Sequence, residues 1–168
     1  MKVLTKIVLI TALIVPSLWA AKNWTPPKYK IYAQTLSEQI MANHPELISV
    51  TFHGVPPGAP AKTYTMYAGS YLDRIGNQDD PDDVMVIETG ITIMDPRWHK
   101  TADPIKKYCM MVPLRDRNGE NIGLLVLAYR NSDQWAKGDL GFLLAATALR
   151  DGLQKDIPSH EAMFQPVN

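Results

Sequence analysis

Between Asp95 and Lys100 the chain gathers Asp95, Arg97, Trp98, His99 and Lys100 in one short stretch. A guanidinium clamps a carboxylate through two parallel N–H bonds. An indole beside it supplies an apolar or cation–π wall. Arg97, Trp98 and His99 are therefore candidate ligand contacts, on the general rule that loops carry function. The competing reading is a solvated loop with Trp98 packed down on a sheet. Tyr64, Tyr67 and Tyr108 form a second candidate group. Each lies in a strand-like run, where a tyrosine facing a pocket presents an apolar body and a polar tip. Ordinary sheet packing competes at each position.

The remaining chemistry-bearing residues read more plainly. His44, His53, His99 and His160 make no metal-ligand spacing with one another or with the single cysteine. No CxxCH motif is present. Haem held noncovalently through His53 or His99 is a minor alternative. Met66, Met85, Met94, Met110 and Met111 read as core filler. Asp79, Asp80, Asp82 and Asp83 flank Pro81 without the spacing or terminal glutamate of an EF-hand, and read as a solvated acidic turn. Cys109 sits inside an apolar run, where a thiol is normally inert. No nucleophile-elbow, zinc-protease or phosphate-loop pattern occurs. Asp95 with His99 is too little to make a catalytic base. The expectation is binding rather than catalysis, with no metal and no cofactor.

Composition frames these candidates. Among 168 residues, 46% are hydrophobic and 20% charged, an ordinary globular balance that argues against a mainly disordered chain. Basic and acidic residues number 17 each, so no net field draws the chain to nucleic acid. With one cysteine no intrachain disulfide forms, and the core must hold the fold unaided. Lys2 and Lys6 precede an apolar run from Ile7 to Leu18, followed by the small residues Ala20 and Ala21. That order is a secretory signal peptide, and the run is shorter than the roughly 20 residues of a spanning helix. The expected organisation is a signal peptide over 1–21, a linker over 22–28, one domain over 29–157 and a tail over 158–168. The expected location is the periplasm or the exterior.

The elements that must position the candidates follow from periodicity. Apolar residues at three- and four-residue steps predict a helix over 29–43. LISVTFH (47–53) and TYTMYA (63–68) read as strands. Residues 73–83 are polar and turn-rich. Residues 84–93 fit either a short helix followed by a strand or one bulged strand. Tyr108–Leu114 and Ile122–Tyr129 form a hairpin around Asn118-Gly119, a pair whose tolerance of positive φ suits a tight turn. The second run is apolar on both faces, which marks a strand covered on both sides. Asp139 is placed to cap a helix that runs to about Lys155 with Phe142, Ala145, Ala146, Leu149 and Leu153 as its apolar stripe. Consecutive strands without regular crossover helices predict an α+β class with an antiparallel sheet.

The stretch Tyr108–Arg130, with Pro113-Leu114, Asn118-Gly119 and Ile122-Gly123 at the corresponding places, resembles the closing hairpin of extracytoplasmic PAS-like sensor domains of the Cache family. The likeness covers roughly residues 29–131. GAF domains share most of the hairpin motif. The resemblance implies a five-stranded antiparallel PAS/Cache-like sheet, a long N-terminal helix and a C-terminal helix. It implies a small-molecule pocket on one face of the sheet, taking a ligand such as a carboxylate or an amino acid. Such domains normally sit in membrane receptors, so a membrane sensor protein is an expected partner. The alternatives are a ligand-free interaction subunit of a receptor, or a haem-binding or enzymatic protein on the same scaffold.

Overall fold

The structure, a computed structural model, describes residues 21–96 and 105–167. Helix α1 spans Tyr32–Asn43, followed by strands β1 (Leu47–Gly54) and β2 (Thr65–Gly69). Helix α2 (Pro81–Thr89) leads to the short β3 (Ile93–Asp95), so the ambiguous stretch is a helix and then a strand. Strands β4 (Lys107–Arg115) and β5 (Asn121–Arg130) form the hairpin, and α3 (Gly138–Asp156) follows. The five strands make one sheet in the order β2-β1-β5-β4-β3 with every pairing antiparallel. The α+β class and the five-stranded antiparallel sheet are both present.

Alternation along the strands divides the sheet into two faces. Val50 and Phe52 of β1, Tyr108, Met110, Val112 and Leu114 of β4, and Leu125, Leu127 and Tyr129 of β5 face α1 and α3. The intervening Cys109, Met111, Leu124 and Val126 point the other way and pack with Val86 of α2. Strand β5 is therefore apolar on both faces because both are covered, as its composition predicts. The larger core lies under α1 and α3. The smaller one is incomplete, and its gap is where the cavity described below opens.

The hairpin forms around Asn118-Gly119; the cap of α3 and the start of α1 are corrected. Only Gly119 takes positive φ (+86°), at the end of a turn in which its N–H bonds the Asp116 carbonyl at 2.9 Å. The buried Asp116 carboxylate holds the loop by accepting from the Asn118 and Glu120 N–H groups at 2.8 and 3.1 Å. This is the three-residue loop with glycine in the left-handed position. Asp139 does not cap α3; its carboxylate accepts from the Tyr108 hydroxyl at 2.9 Å. The N-terminal helix is 12 residues long and starts three residues later than its periodicity suggests, because Ile31 stays extended and bridges Pro166.

That bridge changes the reading of both chain ends. Residues 158–168 were expected to be a tail, but through Val167 they complete the core. Met163 is fully buried, and Phe164 packs its ring 4.7 Å from Tyr67 and 6.2 Å from Trp24. The Tyr32 N–H, unsatisfied within α1, finds the Gln165 carbonyl at 2.9 Å. The linker 22–28 also lies against the domain. Lys22 bridges Asn77, and the Asn23 N–H bonds the Gly76 carbonyl at 2.9 Å. Residues 1–20 of the signal segment predicted over 1–21 lie outside the described residues. No helix among the described residues is long and apolar enough to cross a membrane.

Two predictions follow from the C-terminal closure. Met163→Ala leaves a cavity beneath α1 and should cost about 2–5 kcal/mol, measured by urea unfolding; a loss below about 1 kcal/mol would detach this segment from the core. His160 packs edge-on against Phe164 at 5.3 Å, and burial pushes its pKa down, with Glu161 pulling partly back. The unfolded chain then takes up the proton first, from about pH 6.5. Stability from this residue is full above that pH and falls with acidification toward the lower folded value. His160→Gln should therefore shift the melting-temperature difference between pH 7.5 and 5.5 in favour of pH 5.5, relative to the wild type.

Candidate functional site

On a strand, residues two apart share a face. Thr51 and His53 of β1 accordingly point together to the α2 side, opposite Val50 and Phe52. His53 pairs across the sheet with Leu124, next to Gly123. Gly123 has a φ of +151°, and a Cβ there would collide with the His53 carbonyl oxygen. Glycine at this position lets β5 pass close against the histidine's backbone. A bulge in the β1–β2 pairing falls between Phe52 and His53, the kind of irregularity that re-aims a side chain next to a site.

The acidic run reaches this histidine from the other side. Asp80 is the N-cap of α2, Pro81 opens the helix, and the Asp83 carboxylate reaches back to the Asp80 N–H at 3.2 Å. Carboxylates suit the first turn because it exposes N–H groups and the positive end of the helix dipole. Asp79, just before the cap, turns inward, and its side chain is only 1% exposed. His53 Nδ1 lies 2.7 Å from Asp79 Oδ1 and 3.8 Å from Asp83 Oδ2. His53 Nε2 lies 2.7 Å from Thr51 Oγ1. The second carboxylate oxygen of Asp79 is buried with no hydrogen-bond partner among the described residues.

These placements shift the titration of the cluster. Burial pushes the His53 pKa down, but its bonded partner Asp79, with Asp83 and Asp80 adding, pushes harder, so it stands above the ordinary histidine value. Burial pushes the Asp83 carboxyl up to about 6 against the pull of His53, with Asp79 reinforcing the rise. Protonated His53 donates to both Asp79 and Thr51. The imidazolium supplies one positive charge against two carboxylates.

The cluster lines a cavity of about 160 Å³ between the sheet and the segment 71–83. Its apolar floor includes Met66, Cys109, Met111 and Val126. Its acidic wall adds Asp80, Asp82 and Asp95 to the buried pair. Tyr71 and Arg74 also line it, with the guanidinium stacked 4.7 Å over the tyrosine ring. Burial, with Asp95 adding, pushes the Cys109 thiol far above the range in which a thiolate forms. Thr51, His53 and Asp79 reproduce the connectivity of a hydroxyl–imidazole–carboxylate relay. β1 is paired with β2 on one side and β5 on the other.

The tyrosine candidates lie elsewhere. Tyr67 is buried beneath α1 between Phe52 and Phe164. Tyr108 is stacked on Phe142 of α3 at 4.3 Å. Both occupy the helix-covered face, because their strand positions point away from the cavity. Tyr64, half-buried just before β2, donates its hydroxyl to Glu88 of α2 at 2.6 Å and does not line the cavity. Arg97, Trp98 and His99 lie outside the described residues. The structure instead joins His53 to the acidic run, which is not a solvated turn. Two signals in the sequence pointed there: Thr51 and His53 at strand spacing, and Asp-Pro followed by acids as a helix start.

No family model matches the chain, and no curated protein matches it. Among solved structures it is similar to the type II free methionine-R-sulfoxide reductase of Thermoplasma acidophilum, at 14% identity and a TM-score of 0.48, covering 74% of this chain and 87% of that one. It is also similar to the E. coli DcuS sensor domain, at 15% identity and a TM-score of 0.40, covering 70% of this chain and 71% of that one. One is an enzyme and the other a sensor domain, and similarity at this level assigns no chemistry.

Removing His53 should leave Asp79 buried without its counter-charge. His53→Ala is therefore expected to cost about 3–5 kcal/mol in denaturant unfolding. The double variant His53→Ala/Asp79→Ala should be more stable than additivity allows, because the stranded carboxylate is gone. Strictly additive losses would show that the pair is not energetically coupled.

Proposed function

We propose that this domain is a non-catalytic small-molecule-binding module of the sensor type, and that its ligand enters the cavity between the sheet and α2. The observation that carries the reading is the buried Asp79 carboxylate, which faces the cavity above an apolar floor with one oxygen left unbonded. A group this costly to bury is retained where something occupies the space beside it. A confined cavity with an apolar floor and a few convergent polar groups is the usual form of a ligand site. The resemblance of the closing hairpin to Cache sensor domains supports the same reading, as does the inert setting of Cys109. The Asp79 and Asp83 carboxylates stand at the cavity against the single His53 imidazole, so it favours a cationic group on the ligand over a plain carboxylate. The signal-like N-terminus supports a periplasmic or secreted protein that reports to a membrane sensor partner.

A thermal-shift screen tests this with amines, amino acids, polyamines, metal ions and simple carboxylates. A ligand at a hundred times its dissociation constant adds about 2.7 kcal/mol of stability. Ligands with a cationic group should raise the melting temperature and simple carboxylates should not. Asp79→Asn should weaken binding about ten- to a hundredfold, the value of a charge-assisted bond. Stabilisation by carboxylates alone, or by nothing in the panel, would overturn the proposal.

A further inference from the structure

We propose that His53, Asp79 and Asp83 form a binding site for one divalent first-row transition-metal ion, with Zn²⁺ as the representative case. The inference rests on reading the cavity as a cation-accepting ligand site, and it names the cation. Each of the three residues offers one donor atom, and these atoms lie within 4.8 Å of one another. Donors around a tetrahedral ion at about 2.0–2.2 Å stand about 3.3–3.6 Å apart. The Nδ1 distances of 2.7 Å to Asp79 and 3.8 Å to Asp83 bracket that spacing. Side-chain adjustments of about 1 Å or less would admit the ion.

The surrounding contacts suit the role. Thr51 Oγ1, at 2.7 Å, can accept the Nε2–H, which selects the tautomer whose Nδ1 lone pair faces the carboxylates. The Asp80 N–H orients Asp83 at 3.2 Å. The buried Asp79 Oδ2, unbonded among the described residues, is the feature that a solvated acidic cluster lacks. Imidazole together with carboxylates suits zinc, iron, cobalt or nickel, whereas calcium and magnesium prefer all-oxygen shells. The cavity beside the cluster leaves room for water or an organic ligand at the open coordination position.

Calorimetric titration of the chelator-stripped full chain with Zn²⁺ tests the site. One saturable site of micromolar or tighter affinity is expected, with no competition from millimolar Mg²⁺ or Ca²⁺. Asp79→Asn and Asp83→Asn should each weaken it at least tenfold. Asp151→Asn, on α3 across the sheet, should leave it within twofold. Thermal melts establish that the variants fold. Zinc-edge X-ray absorption on the wild type gives a readout independent of them: one imidazole with oxygen neighbours is expected, and a sulfur or all-oxygen shell would overturn the site. No saturable binding, or binding indifferent to Asp79→Asn, would also overturn it. If amines bind through Asp79 and zinc does not, this inference fails while the cation-binding reading stands. If no cation binds, both fail.

Discussion

A carboxylate taken out of water must be given a positive partner, and the pairing of Asp79 with His53 is where this chain meets that demand. Bringing the two together constrains everything nearby. β1 must turn its alternate residues toward α2, β5 must pass the histidine with a glycine, and α2 must begin just after Asp79. The acidic cap of α2 serves twice. It satisfies the helix's first turn, and it sets Asp83 beside the imidazole. Such a pair is weak evidence for stability, since apolar residues of the same volume often do as well. The pair lies at the cavity wall rather than within the larger core.

The sheet divides the labour. One face, with Phe52, Met110, Leu127 and Phe142 fully buried, is closed by two helices and by the C-terminal segment. The other carries one short helix over a small apolar patch and leaves room beside it. The buried His53–Asp79 pair lies on this second face. Tyr67 and Tyr108 are on the helix-covered side because alternation puts them there, each beside an aromatic neighbour.

Much of the fold was legible in the sequence because it depends on local patterns. The hairpin strands, the two-sided β5 and the apolar stripe of α3 follow from spacing alone. Long-range consequences were not legible. Met163 and Phe164 look like part of a short tail after Pro158, and only the gap beside Tyr67 makes them core. Asp139 has the form of a cap, but a hydroxyl from β4 claims its carboxylate. The site was half legible. His53 was visible as a lone histidine and Asp79 to Asp83 as an acidic run. Nothing local says that two residues 26 positions apart come to 2.7 Å.

The short bridge at the N-terminal end has a mechanical meaning. Backbone bonds tie Ala21 to Gln78 at 3.0 Å and Asn23 to Gly76 at 2.9 Å. Asn77 and Gln78 stand in the cavity wall, immediately before Asp79. While those bonds hold, the wall and the entering chain move as one ribbon. An occupant that draws Asp79 inward pulls on the segment that leads back to Ala21. The path from Asp79 back to Ala21 is thus one peptide unit and one hydrogen bond long.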